Sequence, residues 1–353
     1  MAGAEDRNTD PIMRDLDYEV LPEEEGMRLD LFLNARMVWR SRSSIQKLIE
    51  QGKVCVKTND DAKCETPQPV KKPSRRIRQG EIFQATLPRP KRELEFVEKL
   101  SDHPIPVLYE DRWILVVDKP AGIPVHPGGC IMDRTIITLL NKRYEEAGHP
   151  EPLKLCHRLD LETSGVLLIA KDAIAMPRLA RQFEHREVRK EYLALVHGTM
   201  EEDQGEINLP IGLAESSRIH LKRGINYKQG QSARTGFDVE ERFSGFTLVR
   251  LRLFTGRHHQ LRVHLAAIGH PIVGDKAYGV DENLFIRYHQ GTLTAEDHEA
   301  LILPRQALHA ARLTVKHVGL NQEMTFEAPL SRDIRDFMST LPTAGARDPK
   351  RNP

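Results

Sequence analysis

The segment CHRLDLETSGVLLIAKD, residues 156–172, gathers more reactive side chains than any comparable stretch of this chain. His157, Arg158, Asp160, Glu162, Thr163 and Ser164 form a polar run that passes through Gly165 straight into an apolar one. A polar loop at the end of a buried strand is where a fold presents catalytic groups. In such a loop Asp160 can act as a nucleophile or as a proton acceptor. By itself, though, a loop aspartate is more often a turn or cap residue. Its chemistry therefore rests on what surrounds it. His157, His258, His259, His264 and His309 suggest a metal, but the spacing argues otherwise. The run from His258 to His264 is HHxxxxH and lacks the HExxH pattern with its glutamate. The remaining histidines do not combine with cysteines or acids at ligand spacings. Most read as hydrogen-bonding residues, and no metal is expected. A metal-assisted hydrolase would need clustered carboxylates, whereas this loop offers one central aspartate.

The elements that must hold this loop are short strands. From Pro106 to about Leu341 the runs WILVVDK, GVLLIAK, EYLALVHG and FTLVRLRLF read as strands, with helical patterns at 172–186 and 258–269. Strands in runs with occasional helices predict an α+β domain over 106–341, built on a mixed, largely antiparallel sheet with flanking helices. Tyr192 shares one strand face with Ala194 and Val196, and an ordinary core tyrosine would sit there too.

Residues 26–88 read as a smaller α/β module. RLDLFLNARM sets Leu29, Phe32 and Leu33 on one helical face. SRSSIQKLIEQGKV opens on capping-type serines, carries Ile45, Leu48 and Ile49, and stops at Gly52. Val54 and Val56 alternate as a short strand, QGEIFQATLP as another, and the turn-rich stretch between them is a loop. Residues 89–105 form a charged linker between Pro-marked ends, and no internal repeat is visible. Residues 1–25 and 342–353 read as loose, disordered tails.

Net charge is +1, but its distribution is uneven. Residues 1–27 hold nine acids against two bases, and residues 28–92 hold sixteen Lys and Arg against six Asp and Glu. A basic block of domain size is the usual footprint of a phosphate-backbone partner, although a solvated surface can have the same composition. Four scattered cysteines, Cys55, Cys64, Cys130 and Cys156, with no CxxC pair point to a reduced, cytoplasmic protein. No run approaches eighteen apolar residues, so no membrane span is expected.

The string HRLD-x-x-TSG, followed by an apolar strand and Lys-Asp, resembles the central motif of the RluA-type pseudouridine synthases. Four further stretches resemble that family's motifs in the same order: DKPAGIPVHPG (118–128), KEYLALVHG (190–198), TGRHHQLRVHLAAIGHPIVGDKAYG (255–279) and LHAARL (308–313). The front module resembles the S-four RNA-binding domain that often precedes this catalytic domain. Two departures stand out: His258 replaces the family's usual Thr or Ser, and TNDDAKCETPQ replaces a short turn in the front module.

The resemblance implies an enzyme that isomerises uridine to pseudouridine in structured RNA, breaking the bond to ring nitrogen one and rejoining the base through ring carbon five. No cofactor is implied. Asp160 would be the essential carboxylate, and Arg262 its ion-pair partner, with Arg257 the nearby competitor. Tyr192 would stack on the target uracil and later assist proton removal from carbon five. Arg158 would fill the space left when the uridine flips out, a step required because a stacked base cannot reach a protein carboxylate. In the front module Arg28, Arg40, Arg42, Lys47 and Lys53 are the expected RNA contacts. Large-subunit ribosomal RNA is the favoured partner, transfer RNA the alternative, and the protein is expected to be a monomer. A non-catalytic RNA-binding or ribosome-assembly factor on the same fold is the competing reading, and the presence of Asp160, Tyr192 and Arg262 speaks against it.

Overall fold

The computed structural model of the chain describes residues 13–20, 22–37, 42–57, 68–88, 104–127, 134–149, 151–215, 217, 219, 222–290 and 292–343. Two compact units form, Met1–His103 with His126–Thr135, and Pro104–Val125 with Ile136–Pro353. The expected linker up to residue 103, the final ten residues and most of the module's loop (58–67) lie outside the described residues.

In the first unit, β1 (Met13–Glu19), β2 (Val54–Lys57), β3 (Gln68–Pro69) and β4 (Ile82–Pro88) form an antiparallel sheet in the order β1-β4-β2-β3. Helices α1 (Leu29–Arg36) and α2 (Arg42–Glu50) bury Leu29, Phe32, Leu33, Ile45, Leu48 and Ile49 against Val54, Phe83 and Ala85. Gly52, at φ +70°, ends the second helix in a left-handed turn that a glycine adopts without strain. The expectation of a loose tail up to residue 25 fails over residues 13–19. Leu16, Tyr18 and Val20 alternate with charged residues and pack on the module's core, so this segment becomes an edge strand despite its acidity.

The second unit is the larger. Its strands are β5 (Val107–Glu110), β6 (Ile114–Lys119), β7 (Lys154–Leu155), β8 (Ser164–Ala170), β9 (Arg189–His197), β10 (Gln204–Asn208), β11 (Ile211–Leu213), β12 (Arg223–Ile225), β13 (Arg234–Phe243), β14 (Phe246–Leu253), β15 (Leu308–Lys316) and β16 (Glu323–Glu327). Its helices are α3 (Ile136–Glu146), α4 (Ala175–Glu184), α5 (Gln260–Ala267), α6 (Asn283–Gln290), α7 (Ala295–Leu301) and α8 (Arg332–Ser339). The main sheet runs β10-β13-β14-β9-β15-β8-β6-β5, with β16 beside β15 and β7 beside β8. Its pairings are antiparallel except for β8 with β15, so the sheet is mixed and largely antiparallel as expected. Ile114, Val116, Val166, Leu168, Leu313 and Val315 pack with Ala175 and Leu179 of α4 into one core.

One register detail governs the site. Tyr192 of β9 pairs with Ala310 of β15, which in turn pairs with Gly165 of β8. The late strand β15 thus fixes how far Tyr192 lies from the loop that precedes β8. Gly165 sits at φ +110°, and a Cβ there would fall 2.2 Å from the Ala310 carbonyl oxygen. Only glycine allows β15 to approach β8 this closely.

Candidate active site

The loop from Asp160 to Ser164 is tied down at nearly every residue. It is a tight turn in which the Thr163 amide donates to the Asp160 carbonyl at 3.1 Å. Lys119, at the end of β6 and fully buried, donates to the carbonyls of Pro120, Leu161 and Thr163 at 2.9, 3.1 and 2.8 Å. Burial, joined by the charge of Arg305, draws the Lys119 pKa down to about 7. The three carbonyl acceptors match the three donors of its charged form. The Glu162 carboxylate receives Lys276 at 2.8 Å and the Tyr288 hydroxyl at 3.0 Å. Gln306 donates to the Thr163 hydroxyl at 2.7 Å, and Ser164 bonds His309 Nδ1 at 2.9 Å. His157 accepts the Leu168 amide at 2.9 Å and stacks on Phe183, with ring centroids 4.9 Å apart. Its pKa falls to about 3, through burial and then the charge of Lys190, so it is neutral near neutrality.

Arg262 comes to Asp160 from α5. This helix is fixed to β13 by two side chains one turn apart. Gln260 donates to the Arg234 carbonyl and the Thr235 hydroxyl, both at 2.9 Å, and His264 bonds that hydroxyl at 2.9 Å and the Leu209 carbonyl at 3.0 Å. Between those anchors Arg262 makes three charge-assisted hydrogen bonds. Nε and Nη2 go to Asp275 at 2.6 and 2.9 Å, and Nη1 reaches Asp160 Oδ2 at 3.2 Å. Asp275 is fully buried and also accepts the amides of Ala277 and Tyr278. Arg257, the other candidate partner, turns its Nε to the Ser232 carbonyl instead.

The electrostatics favour an ionised Asp160. Burial alone would raise its pKa, but His259 when protonated, the Arg262 charge and the Arg262 hydrogen bond hold it below the usual carboxylate value. His259 itself is pushed down to about 3, by burial first and then by Arg262. At neutral pH His259 is therefore uncharged, and the guanidinium is the permanent charge that keeps Asp160 anionic. Among the described residues Asp160 Oδ1 has no hydrogen-bond donor, which leaves one oxygen free for a reacting atom. Tyr192 is buried, and its phenol is raised above the ordinary value by burial and by Asp160. It enters any reaction as the protonated phenol.

Asp160, Arg262 and Tyr192 all line one cleft of about 460 Å³, with Leu253, Leu261 and Leu308 as apolar wall and Arg158 at its edge. Sequence reasoning had singled out the first three and Arg158. Asp275 and Lys119 are not among them, and Glu162, though part of the polar run, has no role or partner that the sequence assigns. The signals were the Gly-Asp pair at 274–275 and the lysine of DKPAG, both inside stretches already set apart. Among the described residues no group of three metal-ligating side chains gathers. In the first unit Arg28 and Arg42 converge on buried Asp30, at 2.9 and 3.0 Å through their Nε atoms, and Gln46 joins them at 2.8 Å. Lys47 and Lys53 are exposed, and Arg40 lies outside the described residues.

The chain is similar to known proteins over most of its length. The RNA pseudouridylate synthase family matches residues 113–267, and the S4 domain matches residues 27–56. The ribosomal large subunit pseudouridine synthase D of Nitrosomonas europaea is 36% identical over 90% of this chain and 85% of its own length. The protein of the same name from Vibrio cholerae is 33% identical over 93% of this chain and 95% of its own length. Among solved structures, human RNA pseudouridylate synthase domain containing 4 is 28% identical with a TM-score of 0.52, covering 66% of this chain and 92% of that one. Identity at this level over nearly the whole length, together with the ordered motifs and the shared sheet, places the chain in the RNA pseudouridine synthase family of isomerases, with an S4 RNA-binding domain ahead of the catalytic one.

Proposed function

We propose that this protein converts particular uridines of large-subunit ribosomal RNA into pseudouridine, with Asp160 as the catalytic carboxylate and the target base flipped into the cleft. The observation that carries the reading is the chain Asp160–Arg262–Asp275. One guanidinium, clamped from behind by a buried carboxylate, holds a second carboxylate ionised at a cleft wall, with one oxygen unengaged among the described residues. A nucleophile at a sugar or base carbon and a base at a ribose proton both require the anion. Tyr192 offers its ring face to the uracil. Its raised pKa makes it a poor proton acceptor until it has given up its own proton. Arg158 at the cleft edge is suited to occupy the space that the flipped base vacates. The named activities of the relatives from Nitrosomonas europaea and Vibrio cholerae favour ribosomal RNA over transfer RNA.

The test is tritium release from RNA labelled at carbon five of uridine, with large-subunit ribosomal RNA and transfer RNA offered in parallel. Asp160→Asn is nearly isosteric and should bind the RNA while losing at least roughly 10²–10⁴-fold in rate. Wild-type release by this variant would refute the assignment, and release from transfer RNA alone would move the substrate. Absence of release from either RNA with the wild type would favour the non-catalytic factor.

A further inference from the structure

We propose that Lys190 clamps a backbone phosphate adjoining the target uridine, its ammonium standing beside Tyr192 inside the cleft. The proposal rests on the isomerase reading of the same site. Arg158, Arg186, Lys190 and Arg257 all line the cleft, but they are not equivalent. Arg158 and Arg186 are exposed at its edge, and Arg257 is engaged with the Ser232 carbonyl. Lys190 is half-buried within it. Among the described residues no carboxylate pairs with its ammonium, which lies 5.6 Å from the centroid of the Phe183 ring. Burial lowers its pKa, so the site favours the charge less than water does. A cation kept in such a place without an anion costs free energy. That cost is offset once an anion enters.

The strand sets where the anion must lie. Lys190 and Tyr192 are two apart in β9, so they project from the same face, roughly 6.5 Å apart along the strand. A uracil laid on Tyr192 beside Asp160 carries its own ribose, and the adjoining phosphates then fall at the scale of that spacing. Asp160 and Glu184 are the acids of the lining, and Asp160 is already committed to Arg262. A lysine ammonium is a compact point charge suited to a phosphate oxygen.

The experiment uses an RNA that the wild-type chain converts. If the wild type converts none, the isomerase reading fails; once conversion is established, the clamp alone is on trial. Lys190→Met keeps the aliphatic stem and removes the charge. It should raise KM by about 10–100-fold and flatten the slope of log affinity against log salt by about 1. Lys190→Arg should recover most of both. A neutral methylphosphonate is then placed 5′ or 3′ of the target uridine. At one of those positions it should cost the wild type the same factor and cost Lys190→Met nothing more. Additive losses at both positions overturn the proposal. So does an unchanged KM and salt slope in Lys190→Met, whether or not kcat falls. Should that variant not fold, Lys190→Gln carries the comparison. A wild type indifferent to both methylphosphonates would also overturn it.

Discussion

Arg262 serves two carboxylates, and their duties differ. Asp275 takes two of its nitrogens in full burial and sets the plane of the guanidinium; Asp160 takes the third at the cleft wall. Asp275→Asn would leave a buried guanidinium with half its partner. Breaking a buried pair in this way costs about 3–5 kcal/mol, so a clear fall in Tm is expected along with most of the activity. A variant that melts like wild type would show that Asp275 does not hold the arginine. The pH dependence follows from the same groups. Asp160 is held below the ordinary carboxylate value and His259 at about 3, so neither changes charge near neutrality. The reactive anion is present above the lowered Asp160 value and is lost only as pH falls through it. Single-turnover rates should therefore show no acid limb between pH ~5 and ~7, given ordinary values of about 3.9 for aspartate and 6.5 for histidine. An acid limb centred near pH 6.5 would assign control to a histidine and contradict this account.

At the level of elements, the segments with strong periodicity were legible. The helices at 172–186 and 258–269 and the strands around Val116, Leu167, Leu195 and Val249 stand where alternation and apolar runs put them. The first strand was not, because its acidic composition masked the alternation of Leu16, Tyr18 and Val20. Asp275 was hidden for a different reason. Nothing local distinguishes an aspartate that meets an arginine thirteen positions earlier from one that caps a turn, and Asp275 also accepts turn amides. The parallel contact of β8 with β15 joins residues more than 140 apart, a distance no periodicity reports. Gly165 makes that contact possible. Gly165→Ala would strain a positive φ and set a methyl against the Ala310 carbonyl, so β15 must retreat and carry the Tyr192 register with it. A loss of at least ~2 kcal/mol in urea unfolding is expected, well above the ~1 kcal/mol ordinarily at stake when glycine becomes alanine. Wild-type stability would mean the two strands part without cost and would undo the argument about spacing.

For the whole molecule, the basic excess and the Asp160 site fall on separate stretches of chain. Asp160, Arg262, Tyr192 and the cleft belong to the second unit, which has its own core. The first unit carries the basic excess of residues 28–92. Its cations are of two kinds. Arg28 and Arg42 lean on Asp30, which orients them while leaving their side chains 35% and 46% exposed, and Lys47 and Lys53 stand exposed. Each cation that meets a phosphate releases counterions and adds close to one to the slope of log affinity against log salt. Deleting residues 1–92 should therefore weaken RNA binding and flatten that slope by about 2–4, the yield expected of two to four such contacts. Slow turnover of short substrates at high enzyme concentration should survive, because the Asp160 site is intact. The control must remove acidic residues without damaging the module. Cutting at residue 25 would not do so, since it takes away β1 and its pairing with β4. A deletion of residues 1–12 spares that strand and should bind RNA as well as the full chain does. If loss of 1–92 left affinity and salt slope unchanged, the module would not touch the RNA, and the phosphate contacts would have to be sought around the cleft.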